Sequence, residues 1–66
     1  MKAYRILNRM KPWQRWWVAN LPGRAGVDWG YTTVEAEAVV LTPYWQRRFR
    51  RDAERCGDEA HFISQP

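Results

Sequence analysis

Trp16 and Trp17 stand side by side within Trp13 to Asn20, a run rich in aromatic and β-branched residues that reads as a strand. Successive side chains of a strand point to opposite faces, so the two indoles cannot both lie beneath one covering helix. Only one substantial helix is available to cover a sheet. Thr42 is placed to cap it, Pro43 suits its first position and Gly57 stands where it would stop, which predicts a helix over residues 43 to 56. On that helix Trp45, Phe49, Ala53 and Cys56 recur at i, i+4, i+8 and i+11 and form one apolar stripe, expected to face the core. One face of the sheet should therefore lack a helical roof.

The rest of the chain supplies strands and turns. From Ala3 to Met10 residues alternate, with Tyr4, Ile6 and Met10 on one side and Arg5, Leu7 and Arg9 on the other, as a half-buried strand requires. Lys11-Pro12 interrupts it, and the two strands are expected to pair as a hairpin. Leu21 to Gly26 has the Pro and Gly content of a loop, and Asp28 to Tyr31 reads as a tight irregular connection. Thr32-Thr33-Val34-Glu35 matches a capping box and predicts a short helical turn through about Ala38. Val39 to Leu41 and Ala60 to Ile63 read as two further strands. The expected fold is α+β: a small antiparallel sheet of three to four strands with one amphipathic helix on one face, in the order β-β-(short α)-β-α-β.

With 66 residues, no internal repeat and no linker, the chain reads as a single domain spanning 1 to 66. A chain of this size hides only about 60% of the surface its unfolded form exposes, so its few large residues must carry the core. Five Trp, three Tyr and two Phe supply them. No stretch is long and apolar enough to cross a bilayer, Met1 to Arg5 lacks the apolar segment of a secretory signal, and Cys56 has no partner for a disulfide. These features predict a soluble cytoplasmic protein with no membrane partner.

The net charge of +4 is unevenly laid out. Residues 1 to 20 carry Lys2, Arg5, Arg9, Lys11 and Arg15 with no acid, and residues 43 to 66 set five Arg against four acids. If Tyr4, Ile6, Trp16 and Val18 form the inner face of the hairpin, the outer face carries Arg5, Leu7 and Arg9 beside Trp13, Arg15 and Trp17. Guanidinium groups and aromatic rings in alternation can receive phosphates and stacked bases or grip an acidic protein surface. Against this stands the simpler arrangement in which the rings pack under the Leu21 to Tyr31 loop, or in which a bulge turns both indoles inward.

A second basic surface is expected on the helix, where Tyr44, Arg48, Arg51 and Arg55 recur at i, i+4, i+7 and i+11 with Arg47 alongside. Intrahelical pairs of Arg48 with Asp52 and of Arg50 with Glu54 could occupy part of its charge. The candidate partner-binding residues are thus Arg5, Arg9, Trp13, Arg15, Trp17, Tyr44, Arg47, Arg48, Arg51 and Arg55, with Trp17, Trp13 and Arg15 as central anchors.

No catalytic or cofactor-binding constellation is visible. Cys56 falls on the apolar stripe near a helix C-terminus, where the dipole disfavours a thiolate. His61 has no second ligand at metal spacing and is expected to be a partly exposed strand residue. Gly23-Arg24-Ala25-Gly26 lacks the ending of a phosphate-binding loop. The expectation is a binding protein, neither an enzyme nor a metalloprotein.

Tyr4-Arg5-Ile6-Leu7-Asn8, and Trp29-Gly30-Tyr31-Thr32 followed by Ala36, Ala38, Val40-Leu41-Thr42 and a helix, give the chain a pattern that resembles small phage- and prophage-encoded accessory proteins of the anti-CRISPR type. That resemblance carries no functional residue with it. It implies a mode of action: stoichiometric occlusion of a host protein or nucleoprotein complex. The positive charge departs from the acidic type that mimics DNA. Two other expectations stand beside this one, a module that binds DNA or RNA directly through the same rings and arginines, and a structural homodimer that pairs the outer face.

Overall fold

The computed structural model describes residues 1–22 and 29–64. Most of the expected Leu21 to Gly26 loop, together with Asp28, lies outside the described residues. Four strands form one antiparallel sheet: β1 (Lys2–Ile6), β2 (Trp16–Asn20), β3 (Gly30–Thr32) and β4 (Glu59–Ile63), in the spatial order β3-β2-β1-β4. Among the described residues a single α-helix, α1 (Pro43–Arg55), packs on one face, which establishes the α+β class. No helix among the described residues is long and apolar enough to cross a membrane.

Register decides which side chains meet the helix. Tyr4 pairs with Trp17 and Arg5 with Trp16, while Val18 pairs with Tyr31 and Ala3 with Phe62. The helix-side face therefore carries Ala3, Arg5, Trp16, Val18, Tyr31, Ala60 and Phe62, and the opposite face carries Tyr4, Trp17, Thr32 and His61. Ala3, Val18, Leu41 and Phe49 form the buried centre. Phe49 is fully enclosed, with the Trp29 and Phe62 rings meeting it edge-on at 5.2 and 6.2 Å. Burying a ring of that size contributes about 2 to 3 kcal/mol relative to leaving it in water.

The assignment of faces on β2 holds, but on β1 it is reversed. Tyr4 and Ile6 were expected inside, and the inward residues are Ala3 and Arg5. The physical reason lies on the helix side: Ala3 is small enough to admit the Phe49 ring, and α1 with its C-terminal turn offers two carboxylates that accept the Arg5 side chain.

Other boundaries also shift. The irregular connection expected at Asp28 to Tyr31 ends in a strand, since Tyr31 and Thr32 pair with Val18 and Trp17. Gly30 lies beside Asn20 where the register slips, and a Cβ there would stand 2.9 Å from the Asn20 Cβ, so only glycine allows the approach. The capping box becomes a 3-10 turn at Glu35–Glu37: Thr32 Oγ accepts from the Val34 amide and donates to Glu37, so the hydroxyl serves a side-chain turn and not a helix cap.

Val39 to Leu41 is not a strand. Its backbone instead ties β1 to β2, the Val39 amide donating to the Val18 carbonyl at 2.9 Å and the Leu41 amide to the Met1 carbonyl at 2.7 Å.

The helix begins where Pro43 predicts, although Thr42 makes no side-chain cap bond. It ends at Arg55 and the chain turns away at Gly57, whose φ of 78° suits glycine. The Gly57 amide donates to the Glu54 carbonyl and the Asp58 amide to the Ala53 carbonyl, the paired bonds of a Schellman turn. Because the helix closes at Arg55, Cys56 swings out of the apolar stripe and is exposed, contrary to expectation.

Candidate basic aromatic surface

Two of the ten expected contact residues are not at the surface. Arg5 lies on the helix side, where its Nε donates to Asp58 at 2.8 Å and its Nη1 donates to Asp52 and to the Tyr31 hydroxyl, each at 2.9 Å. Burial works against the Arg5 charge, but the bonds to Tyr31, Asp58 and Asp52 outweigh it and hold the guanidinium above its ordinary value. Burial likewise pushes the Tyr31 phenol up, against the pull of Arg5 and with the help of both carboxylates. This is a structural ion cluster and not a docking site.

Trp17 does point away from α1, as the two-residue period requires, yet it is only 3% exposed. The 3-10 turn packs against β2, and Lys2 Nζ, on the same face as Trp17, bonds the Glu35 carbonyl at 3.1 Å. Tyr4 stacks on His61 at 4.9 Å and meets Trp17 at 4.8 Å, with the Arg15 guanidinium laid over its ring. A short turn and a ladder of aromatic neighbours thus roof the face that a second helix would otherwise cover. Trp17 is a core residue of that second layer, and its proposed role as a direct anchor does not stand.

The β1–β2 connection carries what remains of the sheet-derived surface. Two consecutive turns build it, the Met10 amide donating to the Leu7 carbonyl at 3.2 Å and the Gln14 amide to the Lys11 carbonyl at 3.0 Å. Pro12 occupies the second position of the latter turn, where its fixed φ is already correct. Trp13 follows it and is 76% exposed, and Met10 is 70% exposed. Arg9 and Lys11, their neighbours in the chain, are exposed, and so is Arg15, whose guanidinium lies over Tyr4. A proline turn thus holds an indole out in water, where it makes no ring contact among the described residues.

The helix surface follows the sequence pattern closely. Tyr44, Arg47, Arg48, Arg51 and Arg55 are all exposed. Arg48 lies over the Tyr44 and Trp45 rings at 5.8 and 5.3 Å and donates to the Tyr44 hydroxyl at 3.1 Å. The intrahelical pairs do not form: Asp52 is committed to Arg5, and among the described residues no carboxylate pairs with any helix arginine. Turning Asp52 inward thus leaves the arginine stripe unneutralised. Asn8 Nδ2 donates to the Gly57 carbonyl, which sets the start of the β1–β2 connection beside the turn that closes α1.

Between the β1–β2 connection and Tyr31 lies a feature the sequence did not reveal, an apolar cleft of about 310 Å³ lined by Arg5, Leu7, Met10, Trp16 and Tyr31. Arg5 and Tyr31 bond each other, so the wall they form has its polar atoms largely engaged. The Trp16 indole N–H is shut away from solvent and has no hydrogen-bond partner among the described residues. With β1 read in the opposite orientation, Leu7 and Arg5 fall on the wrong side for such a cleft, and only the register places them with Trp16. No family model, curated protein or solved structure matches the chain.

Proposed function

We propose that the protein acts by stoichiometric binding, docking its exposed arginines and aromatic rings on a host protein or nucleoprotein complex and occluding it, as a phage-type inhibitor would. The observation that carries the reading is charge segregation. Asp52 and Asp58 face inward to Arg5, while Arg47, Arg48, Arg51 and Arg55 on the helix and Arg9, Lys11 and Arg15 at the tip stay exposed around Trp13 and Tyr44. A surface rich in Trp, Tyr and Arg has the composition of binding hot spots. Once a partner is purified, titration with wild-type protein should saturate at a fixed ratio, and the paired charge reversal Arg48→Glu with Arg51→Glu should abolish the complex without lowering the melting temperature. Retained binding by that variant would exclude the helix stripe.

Direct binding to DNA or RNA is the second reading, favoured by Arg48 lying over two rings, which places a cation and stacking surfaces together. A gel shift with single- and double-stranded DNA and RNA at low and high salt tests it. Affinity that falls steeply with salt supports it, and no shift at low salt removes it.

A further inference from the structure

We infer that the cleft between the hairpin tip and Tyr31 is an anchor pocket for one apolar side chain, carried by an acidic segment of a partner protein. The inference rests on the binding function above and names the kind of partner that surface takes. At about 310 Å³ the cleft stands at the lower end of ligand pockets, roughly 300 Å³ and upward, which suits a side chain better than a cofactor.

Its lining selects the chemistry. The Arg5 Nε and Nη1 are held by Asp58, Asp52 and Tyr31, and the Trp16 N–H is sealed off, so Leu7, Met10 and the Trp16 ring set its character. A nucleobase pushed into such a cleft would bury edge donors and acceptors without partners, which is costly. A Phe or Leu side chain has no polar atom to leave unsatisfied, and removing it from water favours the complex.

The rim selects the charge of the flanking residues. Arg9 and Lys11 bracket Met10, which lines the cleft, and both are exposed. Neither of these two cations has an ion-pair partner among the described residues. An acidic segment with a single apolar residue complements a greasy floor inside a cationic rim.

A short peptide rich in Asp and Glu with one central Phe, compared with the same peptide carrying Ala, tests this by calorimetric titration. The Phe peptide should bind at least about tenfold more tightly. Met10→Glu, at an exposed position that folding does not depend on, should erase that difference, and an NMR spectrum should show the Trp16 indole resonance moving with the Phe peptide only. If both peptides bind equally and lose affinity with salt, the anchor pocket is overturned while the basic surface stands. If neither peptide binds but an oligonucleotide does, the acidic-protein partner is overturned in favour of nucleic acid. If nothing acidic binds, the pocket and the binding function fall together.

Discussion

Arg5 and Asp58 are 53 residues apart in the chain, and their side chains meet at 2.8 Å. The contact exists because the Schellman turn at Gly57 reverses the chain after α1 and delivers Asp58 to the sheet, where Asp52 on the last turns of the helix already faces Arg5. A single guanidinium thus pins the helix end to β1 and takes Asp52 away from the helix arginines.

Replacing Arg5 by Met should therefore destabilise strongly. It leaves the Asp58 carboxylate buried and unpaired, and removal of one partner from a buried pair costs about 3 kcal/mol, tempered here because Asp52 is 38% exposed and can be solvated. For a chain of this size that is a large share of the roughly 3 to 10 kcal/mol available. Urea denaturation checks it, and Arg5→Lys should fall between, since an ammonium cannot present the same planar fork to three acceptors. Wild-type stability in Arg5→Met would mean that the cluster does not hold the helix.

Tyr31 gives the protein an alkaline limit. Its phenol is raised above the ordinary value near 10 by burial, so the native state keeps a proton that the unfolded chain releases. Stability from this group is full below the unfolded value and declines as pH rises through the folded one. Stability curves measured from neutral to strongly alkaline pH should fall above about pH 10, and Tyr31→Phe should flatten that limb while losing the hydrogen bond from Arg5.

Where local chemistry dictated structure, the sequence was a sufficient guide. Pro43, the Trp45–Phe49–Ala53 stripe and Gly57 each act within one helix, and they placed α1 to within a residue. The alternation of Trp16 and Trp17 is likewise local, and it correctly sent the two rings to opposite faces. What alternation cannot decide is which face of β1 looks inward, because that depends on Asp52 and Asp58, contributed from 47 and 53 residues away. Hydrophobicity alone favoured Tyr4 and Ile6 for the interior. The helix arginines were legible for the same reason α1 was. The cleft was not, since Leu7, Met10 and Trp16 converge only through the hairpin register and two successive turns.

Gly57 offers a test of how the helix end positions the ion cluster. Gly57→Ala should cost about 1 kcal/mol, because φ of 78° strains any residue with a Cβ, although the space around it is open. A turn that relaxed in response would move Asp58 from Arg5, so combining Gly57→Ala with Asp58→Asn should cost less than the sum of the single changes. Strict additivity in chemical denaturation would show that the turn and the ion pair are independent.

Trp13 and Trp17 separate docking from folding. Both were expected at the partner surface, and their environments now predict opposite phenotypes. Trp17 is 3% exposed beneath the 3-10 turn and against Tyr4, so Trp17→Ala should destabilise by about 3 to 5 kcal/mol and lose binding only because the fold is lost. Trp13 stands 76% exposed on the Pro12 turn, and Trp13→Ala should leave the melting temperature close to wild type, within about 0.5 kcal/mol, while weakening partner binding by about 2 kcal/mol or more. The pair is read by thermal denaturation alongside titration with the purified partner. Stable, binding-competent Trp13→Ala would remove the hairpin tip from the interface and leave the helix arginines to carry it. A stable Trp17→Ala that fails to bind would instead mean that the 3-10 turn lifts off that face when the partner arrives.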